Sequence, residues 1–187
     1  MKQIPLTVIA GPTAVGKGTV THKLLQEYPQ VELTTSATTR EPRPGEVNGK
    51  DYYFLSMDEF NQKIKNHEFL EWAVVHKENK YGTLISEIER IRQDGGYPML
   101  EIDLAGARQI REKDPDAITI FLSPPSWEEL VKRLHGRGTE SEEEMQRRLE
   151  TARNELKAKV EFEHEVVNDS VENAVNQIAQ LMGLQKS

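Results

Sequence analysis

The stretch Gly11-Pro-Thr-Ala-Val-Gly16-Lys17-Gly18-Thr19 follows directly on an apolar run at residues 4–10. A buried strand that must pass into a helix through a glycine-bounded turn has few folds open to it. Gly11 and Gly16 let the backbone curl so that successive N–H groups point inward, Lys17 adds a mobile positive charge, and the next helix offers the positive end of its dipole. The loop formed by Gly11, Pro12, Thr13, Ala14, Val15, Gly16, Lys17, Gly18 and Thr19 is therefore predicted to cradle the phosphates of a nucleoside triphosphate. The strict pattern has Ser or Thr directly after the lysine. Here Gly18 intervenes, and the hydroxyl of Thr19 is displaced by one position.

The rest of the chain repeats the strand-then-helix rhythm. Short apolar runs at residues 6–10, 98–102, 117–122 and 165–167 alternate with helical patterns, which predicts a parallel sheet with helices on both faces. A further strand is predicted over residues 31–37. Ser56-Met-Asp-Glu59, Ser126-Trp-Glu-Glu129 and Ser141-Glu-Glu-Glu144 have the capping-box form and mark three helix starts. Between residues 36 and 96 the pattern changes to shorter β-like runs, at 52–55 and 69–75, around the stiff turn Arg40-Glu-Pro-Arg-Pro-Gly45. This predicts a small inserted lobe. The polar, glycine-hinged segment 137–144 reads as a mobile flap between helices.

At 187 residues the chain suits one domain with an insertion, and the absence of cysteine excludes disulfides, thiolate metal sites and a cysteine nucleophile. A net charge of −7 argues against general adhesion to nucleic acid or anionic membranes, so an anionic substrate must be met by local basic clusters. No run approaches the roughly 20 apolar residues that a membrane helix requires, and the first residues read as a strand, not a leader, which favours the cytosol. The five histidines show no ligand spacing.

A second constellation lies in Ser36-Ala-Thr-Thr-Arg40-Glu-Pro-Arg43-Pro-Gly-Glu-Val-Asn-Gly-Lys-Asp-Tyr52. Two guanidiniums three residues apart in a stiff turn, with tyrosine hydroxyls nearby, match the oxygens of a monophosphate; the same pattern taken alone also fits solvated loop arginines. Together with Phe69-Leu-Glu71-Trp-Ala, Tyr81-Gly-Thr83, Glu101-Ile-Asp103, Pro124-Pro-Ser126, Arg137-Gly-Thr139 and the phosphate loop, this run resembles the guanylate kinases from about residue 4 to about residue 182. The resemblance implies an α/β fold: a P-loop three-layer core with a parallel sheet (1–35 and 97–187), a small α+β nucleotide-monophosphate lobe (36–96) and a mobile lid (137–150).

It also implies an activity, transfer of the γ-phosphoryl group of ATP to GMP with Mg²⁺, in a monomer or small homo-oligomer. By resemblance, Arg40, Arg43, Tyr52 and Tyr81 hold the GMP phosphate, while Ser36, Glu71, Thr83 and Asp103 read guanine. The chemistry agrees, because guanine offers neighbouring N1–H and N2–H donors that one carboxylate can accept, whereas adenine presents a lone pair at N1. Lys17, Arg40, Arg137 and Arg148 are expected around the transferring group, with Mg²⁺ helped by Thr19 or Asp103. Arg133 and Arg147 belong to the same basic cluster, and their spacing from Glu129 and Glu143 also fits ordinary helix-surface pairs.

Two departures from the family pattern stand out, Thr13-Ala14 where Ser-Gly is common, and a longer run, Lys77-Glu-Asn-Lys80, before Tyr81. The rival reading is a catalytically silent protein-binding module of the same fold. The retention of Lys17, Arg40, Arg43 and Arg148 weighs against it.

Overall fold

The computed structural model describes residues 3–75, 78–135 and 141–185. Five parallel strands form the main sheet in the order β2-β7-β1-β8-β9: β1 (Thr7–Ala10), β2 (Val31–Leu33), β7 (Tyr97–Glu101), β8 (Ile118–Ser123) and β9 (His164–Val167). Alternation along β1 explains why both faces are covered. Ile9 packs with α1 (Lys17–Glu27), α5 (Trp127–His135), α6 (Glu142–Lys157) and α7 (Val171–Leu181), through Leu24, Leu130, Ala152 and Ile178. Its neighbours Val8 and Ala10 point the other way, against α3 (Ile85–Gln93) and α4 (Leu104–Lys113), through Ile88, Ala107 and Ile110. The central strand is thus buried on both sides, as a parallel sheet requires.

A second, mixed sheet has the order β4-β3-β6-β5, made of β3 (Ala37–Thr38), β4 (Tyr53–Phe54), β5 (Phe69–Val75) and β6 (Asn79–Leu84). Its own core is small: Ala37, Phe60 from α2 (Met57–Lys65), Phe69 and Leu84, with the two phenyl rings stacked at 4.3 Å. Both Ser56 and Ser141 form complete capping boxes, and Ser126 Oγ accepts from the Glu129 N–H.

The single strand expected over 31–37 is instead two strands in different sheets. Thr34 N–H donates to Met99 O in the main sheet, Ser36 O accepts from Tyr53 N–H in the small one, and residues 34–36 cross between them. Strand β6 has no separate sequence signal, because it opens on the polar pair Asn79-Lys80 and carries Gly82 in its middle; it pairs antiparallel with both β3 and β5. Of the segment 137–144, residues 137–140 lie outside the described residues; Ser141 caps α6 and 142–144 form its first turn.

The loop between β1 and α1 is shaped by close approaches. Gly16 is left-handed, at φ 97°, and a Cβ there would lie 2.8 Å from Asn168 Nδ2; a Cβ on Gly11 would collide with Leu122 O. Ala14 is also left-handed, at φ 66°, where an L side chain is strained. Ala14→Gly should stabilise the protein by about 1 kcal/mol, the relieved strain outweighing the extra freedom gained by the unfolded chain; thermal unfolding checks the sign. Gly82 faces the opposite problem, since a Cβ would sit 2.6 Å from Glu71 O and 2.8 Å from Trp72 Cβ. Gly82→Ala should cost about 1–3 kcal/mol by forcing β5 and β6 apart, measured by denaturant unfolding.

Candidate functional site

The carboxyl ends of β1 and β7 open onto a crevice, the position where open α/β sheets collect ligands. On one side lies the phosphate loop. Lys17 Nζ donates to Gly11 O (2.7 Å) and Pro12 O (3.3 Å), folding the ammonium back over the loop. Burial pushes Lys17 below its ordinary value, while Glu101, Glu155 and Asp103 act in the opposite direction. Thr13 N–H donates to the Glu155 carboxylate of α6 at 3.1 Å. From beneath, Val15 O accepts from Asn168 Nδ2 (2.8 Å) and Arg133 Nη1 (3.1 Å), which locks the loop to the end of β9 and to α5.

Beside the loop, Gly16, Thr19, Arg133, Asn168, Asp169, Ser170 and Val171 line a pocket of about 290 Å³. Across the crevice, a second pocket of about 220 Å³ is lined by Ser36, Glu71, Tyr81, Thr83, Glu101 and Asp103, among others. The antiparallel register places Glu71 directly opposite Thr83. Both are buried, and Thr83 Oγ1 makes no hydrogen bond with proper geometry among the described residues. Burial raises the Glu71 carboxyl above the usual carboxylate range; Thr83 pulls it back, and Asp103 raises it further. Asp103 caps α4 through Oδ1, which accepts from the Gly106 N–H at 2.8 Å.

Tyr81 also belongs to an aromatic and basic cluster next door. Its ring meets Tyr52 edge-on at 6.0 Å, and the Arg40 guanidinium lies 5.3 Å from the Tyr52 ring and 5.7 Å from Phe54. Both Arg40 Nη atoms donate to Glu46, at 3.0 and 2.8 Å, and the Arg43 N–H donates to the same carboxylate at 2.7 Å. Arg40 first, and the Arg43 N–H next, hold the Glu46 carboxyl below the usual carboxylate range. The Arg43 side chain is exposed on the turn.

Ser36, Glu71, Tyr81, Thr83 and Asp103 thus meet in one pocket, with Arg40 and Tyr52 adjoining it through Tyr81. Thr19 and Asp103, the two candidate metal ligands, line different pockets. No group of three or more His, Asp or Glu side chains among the described residues could hold a metal ion unaided. Arg148 lies on α6, half-buried, and Arg137 falls outside the described residues. Arg147 pairs with Glu143 at 2.8 Å on the exposed face of α6, an ordinary helix-surface pair; Arg133 bonds Glu129 as well as the loop. Sequence reasoning missed Asn168 and Glu155. Asn168 follows a predicted core strand at its ligand-collecting end, and Glu155 lies seven residues beyond Arg148, on the same helix face, so position and periodicity both pointed to them.

A family model described as guanylate kinase matches residues 3–185. The chain is 54% identical over 177 residues to a guanylate kinase of Leifsonia xyli subsp. xyli, covering 95% of this chain and 70% of that protein. It is 51% identical over 178 residues to one from Corynebacterium glutamicum, covering 95% and 94%. A crystal structure of guanylate kinase from Anaplasma phagocytophilum superposes with a TM-score of 0.70 at 29% identity, over 98% of this chain and 86% of that one. A carboxylate-lined pocket, an arginine and tyrosine cluster and a phosphate loop around one crevice, matched along nearly the whole chain, place this protein in the guanylate kinase family.

Proposed function

We propose that the protein transfers the γ-phosphoryl group of ATP to GMP, and that the pocket beside the phosphate loop and the pocket at Glu71 hold the two nucleotides. The observation that carries this reading is the pairing of buried Glu71 with Thr83 in a pocket that shares Tyr81 with the Arg40 cluster. Guanine would enter between Ser36, Glu71, Thr83 and Asp103, its N1–H and N2–H donating to the carboxylate. The 5′-phosphate would then fall toward Arg40, Arg43, Tyr52 and Tyr81. A nucleotide whose phosphates lie along residues 11–19 would carry its base into the pocket of Gly16, Thr19, Arg133 and Asn168.

Phosphoryl transfer needs positioning and positive charge more than covalent chemistry. Lys17 would bridge the β- and γ-phosphates, and Arg40, Arg148 and Arg137 would surround the transferring group. With no metal-binding cluster among the described side chains, Mg²⁺ would be held chiefly by phosphate oxygens and water, with Asp103 or Thr19 in support. When bound it supplies charge neutralisation. Residues 36–96 would act as the GMP-binding lobe, 1–35 with 97–187 as the core, and 137–150 as a lid that excludes water. No helix among the described residues is long and apolar enough to cross a membrane. The protein would work in the cytosol as a monomer or small homo-oligomer, and its net charge of −7 speaks against a nucleic-acid partner.

The direct test is ADP production from ATP and Mg²⁺ with GMP, AMP, UMP or no acceptor. Turnover with GMP alone is expected; equal turnover with AMP would overturn the base assignment. Lys17→Ala should lower kcat by about 10²–10³-fold, as loss of one transition-state donor does, and leave GMP affinity from equilibrium titration unchanged. Glu71→Gln should reduce discrimination against AMP by at least about tenfold. The same substitution should stabilise the protein without nucleotide. A carboxyl whose folded pKa is raised contributes stability below the ordinary carboxylate range, about pH 4, and loses it as pH rises through the raised value. At neutral pH the charged Glu71 therefore costs stability that Gln does not, and the gain in Tm should vanish in acid.

A further inference from the structure

The crossing between the two sheets, residues 34–36, carries Ser36 into the pocket without belonging to a strand there. Its geometry is set from outside by Glu87 on α3, whose side chain is 1% exposed. Each carboxylate oxygen accepts two hydrogen bonds. Oε1 takes the Thr35 N–H (3.1 Å) and Arg90 Nη2 (3.1 Å), while Oε2 takes the Tyr53 hydroxyl (2.8 Å) and Arg90 Nε (3.1 Å). Four lone-pair directions are thereby filled, as a buried carboxylate requires. Arg90 reaches on to Glu32 of β2 at 3.2 Å, anchoring the group to the main sheet.

These bonds close a ring around Ser36. Thr35 N–H on one side of it goes to Glu87, Ser36 O accepts from Tyr53 N–H at 2.9 Å, and the Tyr53 hydroxyl returns to Glu87. Burial alone would raise the Glu87 carboxyl, but Arg90, Thr35 and Tyr53 together hold it below the usual range, so it stays charged. None of Thr35, Ser36, Tyr53, Glu87 and Arg90 lines the pocket beside the phosphate loop.

We propose that Glu87 is a positioning residue for base recognition, acting through Thr35 and Tyr53 to hold Ser36 where guanine meets it. The proposal rests on Ser36 reading the base. Removal of Glu87 frees the crossing segment on the GMP side only, so it affects one substrate and spares the other.

The experiment is a steady-state comparison of Glu87→Ala, Glu87→Gln, Tyr53→Phe and Ser36→Ala, with the double variant Glu87→Ala/Ser36→Ala. Glu87→Ala should raise KM for GMP about tenfold, the equivalent of one lost charge-assisted hydrogen bond, with KM for ATP and kcat held within about twofold. The double variant should be no worse than Ser36→Ala alone, since one acts through the other. Glu87→Gln keeps an acceptor for Thr35 and a polar end for Tyr53, and should restore most of the GMP affinity. If Glu87→Ala does not fold, Tyr53→Phe carries the test, with a rise in KM for GMP alone that vanishes in the Ser36→Ala background. Equal rises in KM for both nucleotides, or additive effects with Ser36→Ala, would overturn the role of Glu87. A Ser36→Ala enzyme with unaltered KM for GMP would instead refute the reading of Ser36.

Discussion

Charge balance in a narrow crevice governs how this site is built. Phosphate recognition needs donors and cations gathered in one place, and gathered cations repel one another unless something answers them. In this fold the answer is supplied by carboxylates fixed on neighbouring elements. Glu46 spans Arg40 and the Arg43 N–H, Glu155 meets the Thr13 N–H, and Glu101 and Asp103 face Lys17. Each cation or donor is thereby aligned by an anion of the chain itself. In the proposed reading, an entering phosphate meets groups that are already oriented, so less side-chain freedom is lost on binding.

The proposed base pocket shows the complementary compromise. Glu71 is buried opposite Thr83 with its carboxyl pushed upward, an arrangement that a fold selected for stability alone would avoid. In the proposed reading its value lies in discrimination. A buried carboxylate rewards a partner with two adjacent donors and penalises one that presents a lone pair. The small core of the second sheet, four buried side chains, leaves the lobe dependent on its contacts with α3 and α4. Gln109 on α4 illustrates this dependence, bonding both the N–H and the O of Trp72 on β5.

Local signals carried much of this in the sequence. The left-handed backbone at Gly16 is a property of glycine, the capping boxes at Ser56 and Ser141 join residues three apart, and buried parallel strands read as short apolar runs. The residues expected around the base also meet in one pocket. What escaped was the break at residues 34–36, where an apparently continuous strand divides between two sheets, and β6, whose lysine and asparagine hide its pairing.

Residue chemistry therefore determined the glycine-bounded loop after β1, the parallel-sheet class and the pair of arginines in one stiff turn, because each depends on side chains close together along the chain. Tertiary structure alone decided which carboxylates answer them and what holds the loop and the crossing segment in place. The reason is distance along the chain. Glu87 lies 52 residues from Thr35, Glu155 lies 142 from Thr13, and Asn168 lies 153 from Val15. No periodicity or local propensity links partners so far apart. They meet only once the strands have stacked in the order β2-β7-β1-β8-β9 and brought their loops to a common edge.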